Sequence, residues 1–545
     1  MFERRPRERT IACSRIWATL LGQTAGGLLV TLQAATPAIA ASSSSADFVE
    51  GPAGNASTLT QSDEKPSTKT TDAAPPAQAG DSAEFNEMAI DENAMSAPAA
   101  AGSGGDPLAF VHNISRDAAL FGDMWGLRPA LAKLGMTLTV QQTSEMMGNA
   151  TGGTGRAVLY QGLTTATLQM DTQRAFGWNG GLFNASALWV GGGNLSTKTL
   201  QTLQTASGIE ADPGLRLWEL WYQQKLFSDK VDIKIGQQSL DQEFMVTQNG
   251  SYFVNTMFGW PMLPSANMPG GGPAYPLSAL GVRVRTHLND SLTLLTGVYN
   301  GSPVSSIDGD PQRNNAHGVN FLIGQGVLAI AELQYSYPSP NTLVEAGQSD
   351  PLARTYKIGF WYDSWKFASQ QWADDGTLLA DPNSSGNPQI LRSNYAFYAV
   401  ADQMIYRFPD DADRNINVFI RPMFTPIQDR NLISFSVNAG VTMHEPFYGR
   451  DDDTFGLGMG YTHVTSGARG SDMQTLVFNP GTYVPIRSGE TYFEATYQYQ
   501  PLAWLQIQPD IQYVIYPGAG LANPNNPTKR IGNELVFGLR LNAQL

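Results

Sequence analysis

Two groups of residues are spaced for chemistry. Val282, Val284, Thr286 and Leu288 alternate with Arg283, Arg285 and His287, and Trp218, Leu220 and Tyr222 alternate with Glu219, Trp221, Gln223 and Lys225. In an extended chain this period of two puts the polar members of each run on one face. Glu332, Lys357, Trp361, Arg421 and Asp510 occupy the polar parity of similar runs. The second group lies between Ser239 and Ser278, where Phe244, Tyr252, Phe253, Asn255, Phe258 and Trp260 precede a Pro/Gly-rich return. Ring faces, amides and charges of both signs suit recognition by stacking and hydrogen bonding, without reaction. Reactive chemistry has little to build on. His112, His287, His317, His444 and His463 are scattered without metal-ligand spacing, and Cys13 is the sole cysteine. No motif pairs a nucleophile with a histidine. No metal or cofactor is therefore expected.

What must position these residues follows from composition. A 545-residue chain that is 42% hydrophobic and 15% charged, with 55 glycines, suits one large β-structure better than a row of soluble domains. Arg4, Arg5, Arg7, Arg9 and Arg15 precede an apolar stretch from Ile16 to Leu32 and then Ala38-Ile39-Ala40. That order predicts an export signal over residues 1–40, cleaved near Ala40. Gln23, Thr24 and the glycines dilute the stretch below the roughly 20 apolar residues of a spanning helix. Loss of its five Arg and two Glu takes the formal charge from −14 to −17, so nucleic acid is not an expected partner. Residues 41–106 carry 11 acidic side chains against Lys65 and Lys69, with little to bury. They are expected to form a disordered acidic leader, serving as a tether or as a contact with cell wall or partner.

From residue 136 the pattern becomes alternation in segments of about ten residues. Leu505, Ile507, Ile511, Tyr513 and Ile515 share one parity, and Gln506, Gln508, Asp510 and Gln512 the other. The segments predicted as strands are 136–147, 158–171, 181–190, 215–227, 231–238, 279–288, 291–300, 328–337, 353–363, 392–407, 415–424, 433–442, 454–464, 490–500, 503–515 and 531–543. Sixteen is an even number, as a bacterial single-chain barrel requires, provided that 318–324 is not a further strand. Tight turns at 228–230, 289–290 and 501–502 fall at even connections. Long loops at 191–214, 239–278, 301–327, 364–391, 465–489 and 516–530 fall at odd ones. This asymmetry is that of short periplasmic turns and long external loops. The predicted fold is thus an all-β, transmembrane antiparallel barrel over 107–545. A short helix over Trp125–Leu134, with Leu127, Leu131 and Leu134 at helical spacing, is expected to pack at its periplasmic end.

The segment LFGDMWGLRPALAKLG at 120–135 resembles the opening segment of the OprB-type carbohydrate-selective porins, with Met124-Trp125 where the family usually has Trp-Gly. Similarity continues in Phe176-Gly177-Trp178, Gly180-Gly181, Trp218 to Trp221, Ile235-Gly236 and QPDIQYVIYP at 508–517. The resemblance, over about residues 108–545, implies an outer-membrane barrel of roughly 16 strands that passes sugars by facilitated diffusion. The 239–278 loop is then expected to fold inward and narrow the channel, offering Phe253, Asn255, Phe258 and Trp260 to a pyranose. Glu219, Trp221, Lys225, Arg283, Arg285, Glu332, Trp361, Arg421 and Asp510 are expected on the lumen wall. Both signs of charge suit monosaccharides, small oligosaccharides or polyols better than phosphate. Carbohydrate solutes, outer-membrane lipid and the barrel assembly machinery are the expected partners, with a monomer and a homotrimer both open. The alternatives are a general or acid-solute porin, and, with less support, an outer-membrane barrel enzyme.

Overall fold

A computed structural model describes residues 118–339 and 351–545. The export signal and the acidic leader lie outside the described residues. The barrel strands are β1 (Met136–Thr151), β2 (Val158–Asp171), β3 (Gly181–Gly192), β4 (Gly214–Leu226), β5 (Val231–Gln238), β6 (Ala279–Asn289), β7 (Leu292–Asn300) and β8 (Val327–Tyr337). They continue with β9 (Arg354–Ala373), β10 (Pro388–Phe408), β11 (Asp411–Phe424), β12 (Ile433–His444), β13 (Thr454–Val464), β14 (Gly489–Leu502), β15 (Leu505–Ile515) and β16 (Glu534–Gln544). Each pairs antiparallel with its neighbour, and β1 closes on β16 from Gln141↔Gln544 to Asn149↔Val536. Closure leaves no edge whose backbone groups would face hydrocarbon unpaired.

The alternation is the reason for the fold. On β15, Ile511 and Tyr513 are 48% and 40% exposed while Gln508, Asp510 and Gln512 are buried. An apolar band therefore meets lipid, and the polar parity must be satisfied inside. The 318–324 segment holds no strand. β9 and β10 run further than their alternation suggests, so the loop between them shortens to 374–387. Three even connections, 172–180, 338–353 and 445–453, are longer than the expected tight turn.

Two local departures matter. The helix α1 (Leu127–Ala132) forms, but it buries none of its residues, and Trp125, Leu127 and Leu134 are exposed. The expected apolar packing is replaced by polar attachment: Arg128 donates to the Gly122 and Leu545 carbonyls, and the Leu120 N–H to the Gln544 carbonyl at 2.7 Å. On β4 the pairing steps from Ser186↔Glu219 to Ala187↔Leu217, leaving Trp218 as an extra residue. This bulge shifts the parity. Arg216 and Glu219, three apart, are both buried, and Trp218 meets Tyr275 edge-on at 6.4 Å instead of defining the lipid face.

Candidate functional site

The interior is built by the 239–278 loop lying on the polar parity of the wall. Short helices give it shape. Asn255 caps Thr256–Gly259 by accepting the Met257 N–H at 3.1 Å. Asn267, at the end of Met262–Asn267, accepts the Leu432 and Ile433 N–H groups, both at 3.1 Å. Apolar side chains do the rest. Phe244, Met257, Phe258, Met262 and Leu263 join Leu295, Ile330, Trp361, Tyr398, Phe419 and Tyr492 of the wall in one buried cluster. Phe253 stacks on Phe258 at 4.2 Å, and Phe258 meets Tyr492 edge-on at 5.5 Å.

Ionic wall residues fix the loop by its backbone. The Arg421 guanidinium, fully buried, donates to the carbonyls of Met245 (2.7 Å), Gly259 (3.0 Å), Met257 (2.5 Å) and Phe258 (2.7 Å). Glu332 accepts the Met245 N–H at 2.8 Å, and Lys357 donates to the Val246 carbonyl at 2.9 Å. Asp402 accepts from Thr247 Oγ1 and the Asn249 N–H. Glu494 accepts the Val254 and Asn255 N–H groups at 2.6 and 3.1 Å, beside Asp510, which is held by Gln512 at 2.8 Å. Glu490 does the same for the preceding loop, taking the Leu203 and Gln204 N–H groups at 2.8 and 2.7 Å. Each such bond leaves one fewer buried backbone group unpaired, which otherwise costs about 1–3 kcal/mol.

A second set collects around Glu243 of the loop. Lys234, Arg283 and Arg285 all pair with it, Arg283 and Arg285 also reach Asp232, and Gln223 accepts from Arg283 at 2.9 Å. Lys234 lies over the Trp221 ring at 4.2 Å, and Trp221 Nε1 donates to Glu219 at 3.3 Å. Glu219 in turn accepts the Ser239 N–H at 3.0 Å, where the loop leaves β5. The cations Lys234, Arg283 and Arg285 are matched by the anions Glu219, Asp232 and Glu243, so the cluster is charge-balanced.

Between the 193–213 and 239–278 loops lies a cavity of about 410 Å³, bordered by Glu210, Asp241, Tyr275 and Arg540 and by parts of Phe253, Asn255 and Trp260. Arg540 pairs with Glu145 at 2.5 Å, and Ser207 donates to the other Glu145 oxygen. Glu210 accepts from Gln161 and from the Leu195 and Ser196 N–H groups, at 3.1 to 3.2 Å. Burial outweighs these bonds and raises its carboxyl to about 7. Burial raises Asp241 likewise, although Ser239 and the Tyr275 N–H bond to it.

The thirteen residues singled out by parity and loop composition therefore divide. Phe253, Asn255 and Trp260 border the cavity, though only 5%, 2% and 6% exposed. Glu219, Trp221, Arg283 and Arg285 meet in the balanced cluster. Glu332, Trp361, Arg421, Phe258 and Asp510 belong to the joint between loop and wall: packed ring faces and backbone-bonded charges, where free lumen groups were expected. Lys225 stands apart, exposed near the end of β4. Arg540, Glu210 and Asp241 escaped sequence reasoning, as did Asp232, Lys234 and Glu243. Only Asp232, Lys234 and Arg540 carried a signal, alternating with Val231, Ile233 and Ile235 or with Leu539 and Leu541.

Known proteins resemble this chain in sequence and, in one solved case, in fold. The chain is 24% identical over 455 residues to Porin B of Pseudomonas aeruginosa, covering 77% of this chain and 90% of that one. It is 22% identical over 446 residues to the putative porin QuiX of Acinetobacter baylyi, covering 77% and 92%. The high-pH structure of OprB from Pseudomonas putida superposes with a TM-score of 0.67 at 20% identity, covering 79% of this chain and 99% of that one. The model of the family described as carbohydrate-selective porin, OprB family, matches residues 155–545. With sixteen closed strands, an inward loop and that match, the chain belongs to the OprB family of carbohydrate-selective porins, as an outer-membrane sugar porin.

Proposed function

We propose that solute selection takes place in the cavity between the 193–213 and 239–278 loops, and that it favours neutral polyhydroxy solutes: monosaccharides, small oligosaccharides or polyols moving passively towards the periplasm. The carrying observation is the border of that cavity. Its volume, about 410 Å³, falls within the roughly 300–1,000 Å³ of small-molecule sites. Glu210, Asp241, Tyr275 and Arg540 offer acceptors and donors to hydroxyls, and the aromatic edges of Phe253 and Trp260 offer apolar surface. A neutral solute needs both, whereas a phosphate channel needs a basic ladder. Glu219, Trp221, Arg283 and Arg285, taken with Lys234, Asp232 and Glu243, tune the neighbouring wall with no net charge. Asn255 and Phe258, with Glu332, Trp361, Arg421 and Asp510, act on selection by holding the loop in place. Lys225 meets solute at the short-turn end of β4. In this reading residues 1–40 are removed near Ala40, the leader at 41–106 is a tether not needed for transport, and the mature chain reaches lipid through the barrel assembly machinery.

Single-channel currents of wild type and Trp260→Ala, with glucose, a disaccharide and a charged solute of similar size, test the reading. Trp260 Nε1 donates to the Gly271 carbonyl at 2.8 Å, which fixes the indole beside the cavity. Its loss should weaken sugar block about fivefold, from a contact of roughly 1 kcal/mol, with open conductance kept or raised. Unchanged relative fluxes in the mutant would move selection to the wall. Equal passage of all three solutes through wild type would make this a channel without sugar preference.

A further inference from the structure

On the outer wall, between β10, β11 and β12, lies a depression of about 770 Å³. Its origin is Pro422, which has no N–H to give the ladder. The β10–β11 register is regular at Tyr398↔Met423 and resumes at Ala401↔Ile420, with no paired residues between. Ala399 and Pro422 form a low floor, around which rise Phe397, Phe424, Pro426 and Phe435. Phe397 and Phe424 stack at 5.8 Å and are 45% and 48% exposed, while their chain neighbours Tyr398 and Met423 are buried inward. The depression is therefore on the lipid-facing parity. A slot between small residues and ring faces is matched by an acyl chain.

The long-loop end of this slot is basic. Thr425 Oγ1 donates to the Tyr395 carbonyl at 2.8 Å, marking the upper end of the slot. One step beyond it, the Arg430 guanidinium donates to the Ser393 and Arg392 carbonyls at 2.8 and 2.5 Å while pairing with Asp429. The register shifts between Arg392 and Asn394, with Ser393 at a φ of 61°, so Arg392 turns to the outer face. Arg392 stands directly across from Lys366, and both side chains are exposed. Two adjacent exposed cations thus sit roughly 16 Å along β10 from the Phe397 ring, at a strand rise of ~3.3 Å per residue. Long loops mark the extracellular end, which puts the two cations on the outer-leaflet side of the Phe397 ring.

We propose that this face holds a phosphorylated lipid of the outer leaflet, with one acyl chain in the Phe397–Phe424 depression and its phosphate on Arg392 and Lys366. Native mass spectrometry of the full-length channel in detergent tests this, using a diphosphorylated, multiply acylated glucosamine disaccharide and its dephosphorylated form as probes. Wild type should retain the phosphorylated probe and release the other. Arg392→Ala combined with Lys366→Ala should weaken retention roughly thirtyfold, the worth of two cations at a membrane surface. Ala399→Trp, which fills the slot and leaves both cations, should weaken it as well, and conductance should stay at the wild-type value in all variants. Equal retention of both probes, or wild-type retention in either variant, overturns the proposal. The mature chain has no other cysteine, so Phe424→Cys adds a second reading in native membranes. Disulfide-linked copies would assign the face to a subunit contact and overturn it too.

Discussion

Arg421→Met separates the barrel from the loop inside it. The wild-type guanidinium is fully buried and bonds four loop carbonyls, at 2.5 to 3.0 Å. Methionine fills similar space with no donor, so the carbonyls of Met245, Met257, Phe258 and Gly259 lose this partner together. Hydrogen bonds to a charged group contribute about 1.5–3 kcal/mol each; four that share one cation do not add in full, so the loss is taken as about 3–5 kcal/mol, the worth of roughly two such bonds. That lowers the ratio of docked to undocked loop by roughly 150- to 5,000-fold. The apolar cluster and the carboxylate anchors still hold elsewhere, so partial release is expected, centred on Met257 to Gly259. The strands lose none of their pairing. Planar-bilayer recording should show a larger or noisier open state and weaker sugar block, while heat-modifiable gel mobility still reports a folded barrel. Arg421→Lys, one point charge in place of a fork, should fall between the two. Wild-type conductance, noise and block in Arg421→Met would refute the assignment of this residue to the joint.

Glu210 should make the channel sense pH near neutrality. Its carboxyl, raised to about 7, is neutral in the folded protein at pH 6 and charged at pH 8, so the loop is favoured below the ordinary carboxylate range and loses that gain as pH rises through about 7. Reversal potentials should turn more cation-selective across that step, and Glu210→Gln should remove it. Ile511→Lys places a cation on the lipid face of β15, where Ile511 is 48% exposed. Folding into vesicles under urea titration should show a loss of about 2–4 kcal/mol, a loss that Gln506→Lys on the opposite parity should not share. Deletion of residues 41–106 should leave insertion and sugar flux unchanged in liposome swelling, and a truncated protein that inserts without conducting would give the leader a transport role.

The barrel was legible because its cause is local. Each strand shows its two faces in its own residues, as β15 does with Ile511 and Tyr513 against Asp510 and Gln512. The parity argument failed where backbone geometry broke the period. The bulge at Trp218 brings Arg216 inward, and nothing in the alternation of β4 announces it. The loop posed a different problem. The family resemblance implied an inward position, but whether a ring faces solute or wall depends on partners some 160 to 240 residues away in sequence, such as Phe419 and Tyr492 for Phe258. Arg421 and Glu332 carried the right parity for the lumen, and the lumen at their depth is filled by the loop. Glu210 and Asp241 lie in irregular chain, where no periodicity exists to mark them.

The joint between wall and loop has a consequence for how selectivity can change. Arg421, Glu332 and Glu494 grip carbonyls and N–H groups of the loop, and every residue supplies a carbonyl whatever its side chain. The attachment is therefore largely indifferent to the identity of loop residues such as Ser251 or Ser265, which border the cavity. Substitutions there can reshape the passage while the fastening stays as it was. One barrel could carry a series of solute preferences by rewriting a short stretch of chain, with stability set on one side of the loop and specificity on the other.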